Sequence, residues 1–583
     1  MRKEKNGISV HAIPGTHTVL FGMDATEDAR RGLLGFALGK RKPSGNISWM
    51  NGFKVFEETY PNPEPGTLKP TNEHPIQDFQ WSDYNAEPGG EAADYVIRPL
   101  YGVPAELVPG VDIEMTVATL NAPGARHHVY FNRGTVPGQA FARQFGNTYP
   151  SDDEQRDPGN AKVKWLSRGL LEAALDFIGR ASGPGFELKV AAYEFTYFPF
   201  LAALGEAALR GAKVKICVNT GDRRSNGDIY QDETSLGNWT AMLDENLKKR
   251  LGSTLPSMGR KGLTLYPRTW WAGIPHNKFM VLEENGHPAA VWTGSTNFTP
   301  SGFLGQSNLA HAIEDESLAR SYARYWETLA GDPSPADLSG FNTREFPDPN
   351  PLAASEIRPI FSPRAEGILG WYSGQMAQAE KAGFLTAAFG ISEEIGAAFT
   401  GDSNILRFVV AENSGRTDKA KAIMMAIEKD RDNIVGMGAL LVEKSIKAGL
   451  EGEALDRWFL REERHRRQGN VFYIHTKMMM IDPFGPNPRV FSGSANFSSA
   501  SVTDNDENML LLSGEWAAEV TPVLVNEFTR LHRHLYFRTT ALKVAGSGGG
   551  SAREAALLTP DDSWQKDHFL PGRQKHRKRE LFR

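Results

Sequence analysis

Two short apolar segments each place a histidine and a lysine two residues apart, as neighbours on one face of a β-strand would be. Residues 473–482 read YIHTKMMMID, and residues 274–283 read IPHNKFMVLE. In a β-strand, residues i and i+2 project to the same face, so each histidine lies beside its lysine. The surrounding residues are apolar, and two potential cations in a buried strand are costly unless an anion compensates them. The pattern predicts a site for an anionic group.

The two segments belong to a longer block that occurs twice, 199 residues apart (475 − 276). Each copy reads H-x-K, four residues, an acid, ten residues and G-S-x-N-F. The matched pairs are His276 with His475, Lys278 with Lys477, Glu283 with Asp482, Gly294 with Gly493, Ser295 with Ser494, Asn297 with Asn496 and Phe298 with Phe497. A third H-x-K, at His576 and Lys578, lacks the rest of the block, so H-x-K alone is a weak signal. The repeated block indicates an internal duplication with half of a site in each copy.

The doubled block resembles the phospholipase D superfamily, in which two such motifs meet at one active site. The resemblance covers roughly residues 126–545, and Glu283 stands where the family usually has an aspartate. It implies a phosphodiester substrate whose phosphate is held by two lysines and two asparagines, with one histidine forming a covalent phosphohistidine and the other acting as general acid and base. The implied catalytic residues are His276, Lys278, Asn297, His475, Lys477, Asn496 and Glu507, and the supporting residues are Glu283, Ser295, Asp482 and Ser494.

The implied mechanism needs no cofactor and no metal ion. The sequence agrees, because it has no H-E-x-x-H motif and no paired C-x-x-C motif, and it has no carboxylate cluster at metal-ligand spacing. The single cysteine, Cys217, lies in an apolar strand pattern that predicts a core position.

The two copies differ at one position that bears on the roles of the histidines. Glu507 follows the second motif, and the equivalent position after the first motif is Asn308 (507 − 199). In the family, a glutamate here braces a catalytic histidine. If Glu507 braces His475, it raises the pKa of that imidazole and suits it to be the general acid. On that premise His276 is the nucleophile.

Length and composition place the chain among globular proteins of several domains. It has 583 residues, 40% hydrophobic and 23% charged, with a net charge of −5. That balance gives no global attraction to nucleic acid or anionic lipid, so an anionic substrate must be held by local charge. One cysteine, no apolar run of membrane-spanning length and no signal-peptide pattern favour a cytoplasmic protein.

The order of patterns predicts an α/β protein behind an all-β domain. Residues 1–125 hold short strand-like runs between Gly, Pro and Asn clusters, which is typical of an immunoglobulin- or fibronectin-like β-sandwich. Residues 126–340 and 341–545 each alternate strand and helix, which predicts two phospholipase D-like α/β/α halves that form one active site. Residues 546–583 read as a linker and a basic tail, with the flexible stretch KVAGSGGGS at 543–551.

The sequence leaves the substrate open between two classes. Two halves in one chain behind a β-sandwich favour a phospholipase D-type hydrolase with peripheral membrane contact, although no segment reads as an amphipathic helix with a cationic face. The forms GSTNFT and GSANFS, the run REERHRRQGN at 461–470 and the basic tail favour a metal-independent nuclease instead. We narrowly favour phospholipid, with no obligate protein partner. A scaffold that binds phosphate without turnover is a third reading, which both intact His–Lys pairs disfavour.

Three further features can be explained by structure alone or by a role at the site. Trp270 and Trp271 precede the first motif and could line a groove, although core packing is the preferred reading. The arginine-rich run at 461–470 is more often a solvated surface than a device that steers substrate. The charged segments 221–262 and 411–468 lie between core strands and could gate the site.

Overall fold

The computed structural model describes residues 1–583 except 62, 64–66, 135–137, 147, 220–222, 226–227, 231–232, 271–272, 366, 402, 416, 439–473 and 547–555. The run at 461–470 and Trp271 therefore lie outside the described residues, as do most of the KVAGSGGGS stretch, six residues of the possible gate at 221–262 and about half of the one at 411–468.

The N-terminal region is an all-β domain of two antiparallel sheets that share one apolar core. One sheet has the order β1-β2-β3-β8, and the other has the order β10-β9-β4-β5 with β11 also on β9. The elements are β1 (Arg2–Lys5), β2 (Ile8–Pro14), β3 (Val19–Ala25), α1 (Glu27–Arg30), β4 (Gly35–Arg41), β5 (Ile47–Trp49), β6 (Asn51–Gly52), β7 (Lys69–Pro70), β8 (Gln80–Asp83), β9 (Ala92–Val103), β10 (Glu106–Pro109) and β11 (Ile113–Ala118). Strict alternation of buried and exposed residues along β11 shows why it forms a strand with one face on that core.

The first α/β half is built on a seven-stranded mixed sheet with the order β12-β20-β19-β18-β13-β14-β17. Its elements are β12 (His127–Phe131), α2 (Gly138–Phe145), α3 (Asp152–Gln155), α4 (Ala161–Ser167), α5 (Leu170–Gly179), β13 (Phe186–Ala192), α6 (Phe198–Leu209), β14 (Lys213–Val218), β15 (Arg223–Ser225), β16 (Asp228–Tyr230), α7 (Glu233–Met242), α8 (Glu245–Leu251), the 3₁₀ helix Leu255–Lys261, β17 (Leu263–Pro267), β18 (Lys278–Glu284), β19 (His287–Gly294), the π-helical turn Ser301–Gly305, β20 (Leu309–Glu314), α9 (Glu316–Ala330) and α10 (Pro335–Glu345).

The second half repeats this sheet with the order β21-β27-β26-β25-β22-β23-β24. Its elements are β21 (Glu356–Ser362), α11 (Ile368–Ala377), β22 (Ala382–Ala387), α12 (Glu393–Ala397), β23 (Leu406–Ala411), α13 (Asp418–Lys429), β24 (Asn433–Met437), β25 (Met478–Ile481), β26 (Arg489–Gly493), α14 (Ser499–Thr503), β27 (Glu507–Ser513) and α15 (Glu515–Gly546). Strand for strand, both sheets run in the same order with the same directions, which confirms the predicted duplication.

The central strands of both sheets are buried on both faces, and they hold the two halves together. Residues 279–282 of β18 and all of β25 are apolar and buried, and helices α9 and α15 pack between the sheets in one shared core. Helices such as α5 and α6 cover the outer face of the first sheet in a separate core. Each motif therefore begins at a central, buried strand. The two sheets face each other across the core that contains α9 and α15.

The C-terminal segment packs against both the β domain and the second half. Its elements are the 3₁₀ helix Asp562–Gln565, α16 (Lys566–Phe569) and α17 (Gln574–Phe582). Trp564 stacks on Phe79 in the core of the β domain. Arg577 bonds Asp432 of the second half at 2.7 Å, and Lys578 lies 3.1 Å from Asp78 of the β domain. The basic residues of this segment thus tie two domains together through ion pairs.

Within the described residues, no helix is long and apolar enough to cross a membrane.

Candidate active site

Both motifs lie at equivalent places, at the start of a central strand. Lys278 is the first residue of β18, and Lys477 directly precedes β25. His276 and His475 stand two residues earlier, where the chain approaches the strand, and all four side chains are buried. Each approach segment bonds the opposite half: Asp506 N donates to Ile274 O at 3.1 Å, and His475 N donates to Ser307 O at 3.2 Å. The two halves therefore build one site around a pseudo-twofold arrangement.

Each catalytic histidine is braced by the half to which it does not belong. Nδ1 of His276 lies 2.8 Å from Oε2 of Glu507, and Nδ1 of His475 lies 2.9 Å from Oδ1 of Asn308. The predicted pairing of Glu507 with His475 was therefore wrong. Its cause is the pseudo-twofold arrangement, which brings the segment after each G-S-x-N motif against the other half's histidine. Because both acceptors face Nδ1, each ring carries its hydrogen there and leaves Nε2 for chemistry.

The serines of the G-S-x-N motifs support these braces. Ser295 Oγ donates to Asn308 Oδ1 at 2.8 Å, and the Asn308 amide donates to Gly302 O at 2.9 Å, which fixes its orientation. In the second half, Ser494 hydrogen-bonds Glu507 and favours its ionised form. The serines thus take the supporting role that the resemblance implies.

Asn132 is a further support that the sequence did not single out. Its Oδ1 accepts from the backbone N of Asn308 at 2.9 Å, and its amide donates to the carbonyls of Gly302, Phe303 and Gln306. Asn132 follows β12 with no motif around it, so its role is visible only in three dimensions.

The amino groups of the two lysines are buried close enough to influence each other's pKa. Nζ of Lys278 donates to His276 O at 2.6 Å, and Nζ of Lys477 donates to His475 O at 2.7 Å. Burial lowers the pKa of Lys278 to about 7, and burial with the neighbouring Lys278 lowers the pKa of Lys477 well below its usual value. Such a pair favours any bound anion, because the anion restores the charged form of both amines.

The surroundings of both histidines favour the neutral imidazole. Burial first, and the two lysines second, lower the pKa of His276 and of His475 well below 6.5. Burial also raises the pKa of Glu507 to about 7. These groups perturb one another across the halves, which places the two motifs in one electrostatic unit.

Asn297 is buried and Asn496 is half-buried, and the amide oxygen of each lies inside the protein. Oδ1 of Asn297 and Oδ1 of Asn496 accept no hydrogen bond from the described residues. The amide of Asn297 also donates to Glu194. Buried amides with spare hydrogen-bonding capacity are typical of a site that a polar ligand completes.

Glu194 is a site residue that sequence reasoning missed. It lies two residues beyond β13, and burial raises its pKa, while Lys278, the Asn297 amide and Lys477 lower it in part. Its environment is therefore the cationic pair itself. The position two residues beyond the equivalent strand β22 is Phe389, so the duplication offered no signal for it.

The motif acids stand away from the histidines and serve the fold. Glu283 is at the far end of β18, where it forms an ion pair with Lys189. Asp482 accepts from the backbone N of Glu380, Lys381 and Ala382 at 2.7–2.9 Å, which joins the start of β22 to the end of β25. Glu283 needs only to pair with the charge of Lys189, so a glutamate serves at this position as an aspartate would.

The remaining candidate residues differ in their exposure. Trp270 is exposed, so the expectation of core packing was wrong for it, while Cys217 is buried as predicted. Tyr193, which was not singled out, places its ring edge-on to His276 with centroids 5.2 Å apart. Among the described residues, no three His, Cys, Asp or Glu side chains gather as a metal-ligand set.

Comparison with protein families matches residues 175–330 to the family described as "Cardiolipin synthase, PLD-like domain". That range contains the whole first motif, and the structure shows the second half repeating it strand for strand. Residues 175–330 are therefore a phospholipase D-like domain. The match supports an enzyme of the phosphodiesterase class. A search of curated proteins returned no match.

Solved structures of several phospholipase D-like proteins and their structural relatives align with the chain at low identity. Phosphatidylserine synthase of Haemophilus influenzae Rd KW20 aligns over 67% of this chain and 94% of that chain, with 11% identity and a TM-score of 0.40. Nuc of Salmonella typhimurium aligns over 35% of this chain and 94% of its own, with 21% identity and a TM-score of 0.21. For the polyphosphate kinase of Porphyromonas gingivalis, the alignment spans 60% of this chain but only 46% of that chain, with 13% identity and a TM-score of 0.33.

Proposed function

We propose that the protein hydrolyses phospholipid phosphodiesters through a covalent phosphohistidine intermediate, without a metal ion. The observation that carries the mechanism is the crossed bracing of His276 by Glu507 and of His475 by Asn308. It gives two imidazoles with free Nε2 atoms but with different electrostatic partners, as a double displacement requires.

His276 acts as the nucleophile. Attack of its Nε2 forms the N–P bond and leaves a ring that carries a positive charge with its hydrogen on Nδ1. Glu507, 2.8 Å from that Nδ1, compensates the charge for the lifetime of the intermediate. The assignment is the same as the sequence suggested, but it rests on the opposite argument, because the carboxylate now stands beside the nucleophile.

His475 acts as the general acid and base. The bound phosphodiester anion favours the imidazolium form of His475, which takes up a second proton on Nε2 from solvent. As the P–O bond to the alcohol breaks, His475 gives that proton to the departing oxygen. It then takes a proton from the water that attacks phosphorus, and the N–P bond breaks to release a phosphate monoester. An amide partner suits this task, because Asn308 orients the ring without holding the proton as strongly as a carboxylate does.

Lys278, Lys477 and the amides of Asn297 and Asn496 hold the phosphate. The phosphodiester carries one negative charge, and its oxygens gain charge in the transition state, where two buried ammonium groups stabilise it most. The covalent intermediate also predicts transphosphatidylation, since an alcohol can replace water in the second step.

Two observations favour phospholipid over nucleic acid as the substrate. The C-terminal cations that argued for a nuclease are engaged with acids of the protein itself, including Asp432 and Asp78. The matching family description names a lipid enzyme, cardiolipin synthase. The nuclease alternative keeps the G-S-x-N-F forms as its support.

A side-by-side turnover assay in EDTA tests the proposal. The protein and its His276→Ala variant receive phosphatidylcholine vesicles, labelled single- and double-stranded DNA, and RNA. We expect release of head group by the unaltered protein and none by the variant. Cleavage of nucleic acid alone would replace the phospholipid assignment by the nuclease alternative, and loss of every activity in EDTA would refute the metal-free mechanism.

A further inference from the structure

Helix α7 (Glu233–Met242) turns two large apolar side chains to solvent and buries two polar side chains on its opposite face. Leu236 is 55% exposed, Trp239 is 40% exposed and Leu243, the residue after the helix, is 40% exposed. Their spacing of three and four residues puts them on one face. The opposite face buries Ser235 and Asn238 together with Met242. An ordinary surface helix buries its large apolar side chains and exposes its polar ones, so the outward Leu236 and Trp239 call for an explanation.

The buried face of α7 is fixed by specific hydrogen bonds, so the helix cannot simply be turned over. Ser235 Oγ donates to Asn219 Oδ1 at 2.8 Å, and the Asn238 amide donates to Asn219 O and Tyr193 O. Asn238 Oδ1 accepts from Phe195 N at 2.7 Å. These partners lie just beyond the ends of β13 and β14. Their hydrogen bonds to Ser235 and Asn238 hold the apolar face of α7 toward solvent.

The outward face lies close to the catalytic centre. Thr234, in the first turn of α7, is 3.5 Å from the hydroxyl of Tyr193, whose ring contacts His276. One side chain therefore separates the start of the helix from the nucleophile. A surface that contacts the α7 face would lie beside the mouth of the active site.

Sequence around the helix adds positive charge to a chain that is negative overall. Residues 233–262 contain Lys248, Lys249, Arg250, Arg260 and Lys261, all exposed, against Glu233, Asp244 and Glu245. Five cations against three acids leave a net charge of +2, whereas the whole chain has −5. Arg250 forms an ion pair with Glu206 outside the segment at 2.6 Å, which reduces the local excess to +1. Apolar side chains with tryptophan beside a cationic segment are the composition of a surface that enters an anionic lipid interface.

We propose that the α7 face, formed by Leu236, Trp239 and Leu243, docks on an anionic phospholipid bilayer and brings the active site to its substrate. The inference rests on the proposed phospholipid function. No amphipathic pattern marks this helix in the sequence, because Gly237, Ser235 and Asn238 interrupt the apolar spacing. A second copy of the chain is a poorer occupant, since the three side chains expose roughly 300 Å², well below the about 800 Å² per partner of a stable dimer.

The test compares the unaltered protein with two triple variants of the full chain. One carries Leu236→Ser, Trp239→Ser and Leu243→Ser. The matched control carries Val103→Ser, Val108→Ser and Val111→Ser, which removes three apolar side chains of similar exposure (56%, 52% and 41%) from the β domain. Each is measured for flotation with vesicles of equal parts phosphatidylcholine and phosphatidylglycerol, and for turnover of a soluble p-nitrophenyl phosphodiester.

We expect the α7 variant to lose vesicle affinity by on the order of a hundredfold and to keep turnover of the soluble ester. The control should keep both. Unchanged flotation of the α7 variant would overturn the proposal, as would loss of flotation by the control alone, which would assign docking to the β domain. A dimer that becomes a monomer in the α7 variant, without a change in flotation, would assign the face to self-association. Failure of the proposed function shows separately, as absence of turnover while flotation still reports docking.

Discussion

Replacing Glu507 by glutamine is the perturbation that the crossed bracing makes most informative. The side chain is completely buried, and its Oε2 lies 2.8 Å from Nδ1 of His276. Glutamine keeps the size and removes the charge. Asn505 donates to the other oxygen of Glu507 at 3.3 Å, so the glutamine amide tends to turn its NH₂ group toward His276. We therefore expect slower formation of the phosphoenzyme.

The magnitude follows from the charge that the carboxylate compensates. At 2.8 Å and an effective dielectric constant of about 20, two unit charges interact by about 6 kcal/mol, which is a ceiling. A hydrogen bond to a charged group contributes about 1.5–3 kcal/mol net, and an NH₂ group that faces the Nδ1–H of His276 keeps none of it. A loss of about 1.5–3 kcal/mol corresponds to a phosphorylation step about 10- to 150-fold slower.

The assay separates the two histidines by the leaving group. The burst of product in the first turnover is measured with an alkyl phosphodiester, whose alcohol needs a proton, and with a p-nitrophenyl phosphodiester, whose phenolate leaves without one. Glu507→Gln should slow the burst with both esters. The comparison variant His475→Ala should abolish the burst with the alkyl ester and keep it with the p-nitrophenyl ester.

The opposite pattern would refute the assignment. If His475→Ala abolished the p-nitrophenyl burst, or if Glu507→Gln slowed only the alkyl ester, then Glu507 would be bracing the general acid and His475 would be the nucleophile.

Three further predictions concern charge. Burial lowers the pKa of Lys278 to about 7, and the phosphate needs its charged form, so kcat/KM should fall as pH rises through about 7, and Lys278→Arg should retain more of its substrate affinity at pH 9 than the unaltered protein. Glu194→Gln removes a carboxylate from the phosphate site, and inorganic phosphate should inhibit about fivefold more strongly at pH 8; equal inhibition would place Glu194 outside the site. Burial opposes ionisation of Glu527, but Arg168 and Arg530 hold its pKa at about 2, so Glu527→Gln leaves two buried cations unpaired and should cost about 3–5 kcal/mol in urea unfolding.

The repeated block was sufficient to predict the duplicated architecture, and the structure brings the histidines and lysines of its two copies into one buried region. Polar residues at fixed spacing in apolar strands have few structural uses, so two matching copies carry strong information. The prediction of the bracing failed because subtraction of 199 identifies Asn308 as the counterpart of Glu507 but says nothing about which half each one contacts. That depends on how two sheets pack, a long-range property with no local pattern.

Other misses have the same origin. Glu194 has no counterpart in the second half, where Phe389 takes its place, and a lone glutamate after a strand is usually a surface residue. The basic run at the C-terminus was read as support for a nuclease because its partners, such as Asp78 and Asp432, lie far away in the sequence. Helix α7 was hidden because its hydrogen bonds, rather than its hydrophobic pattern, decide which face it buries.

The most direct test of the central claim is to trap the covalent intermediate and locate it. His475→Ala is incubated with a p-nitrophenyl phosphodiester, which can phosphorylate the nucleophile but leaves no base to activate water, and the protein is quenched in alkali and mapped by mass spectrometry. We predict one substrate-derived phosphoryl group per chain, on His276. A phosphoryl group found on His475 in the His276→Ala variant, with none on His276, would contradict the assignment, and absence of any phosphoenzyme during turnover would contradict the double displacement itself.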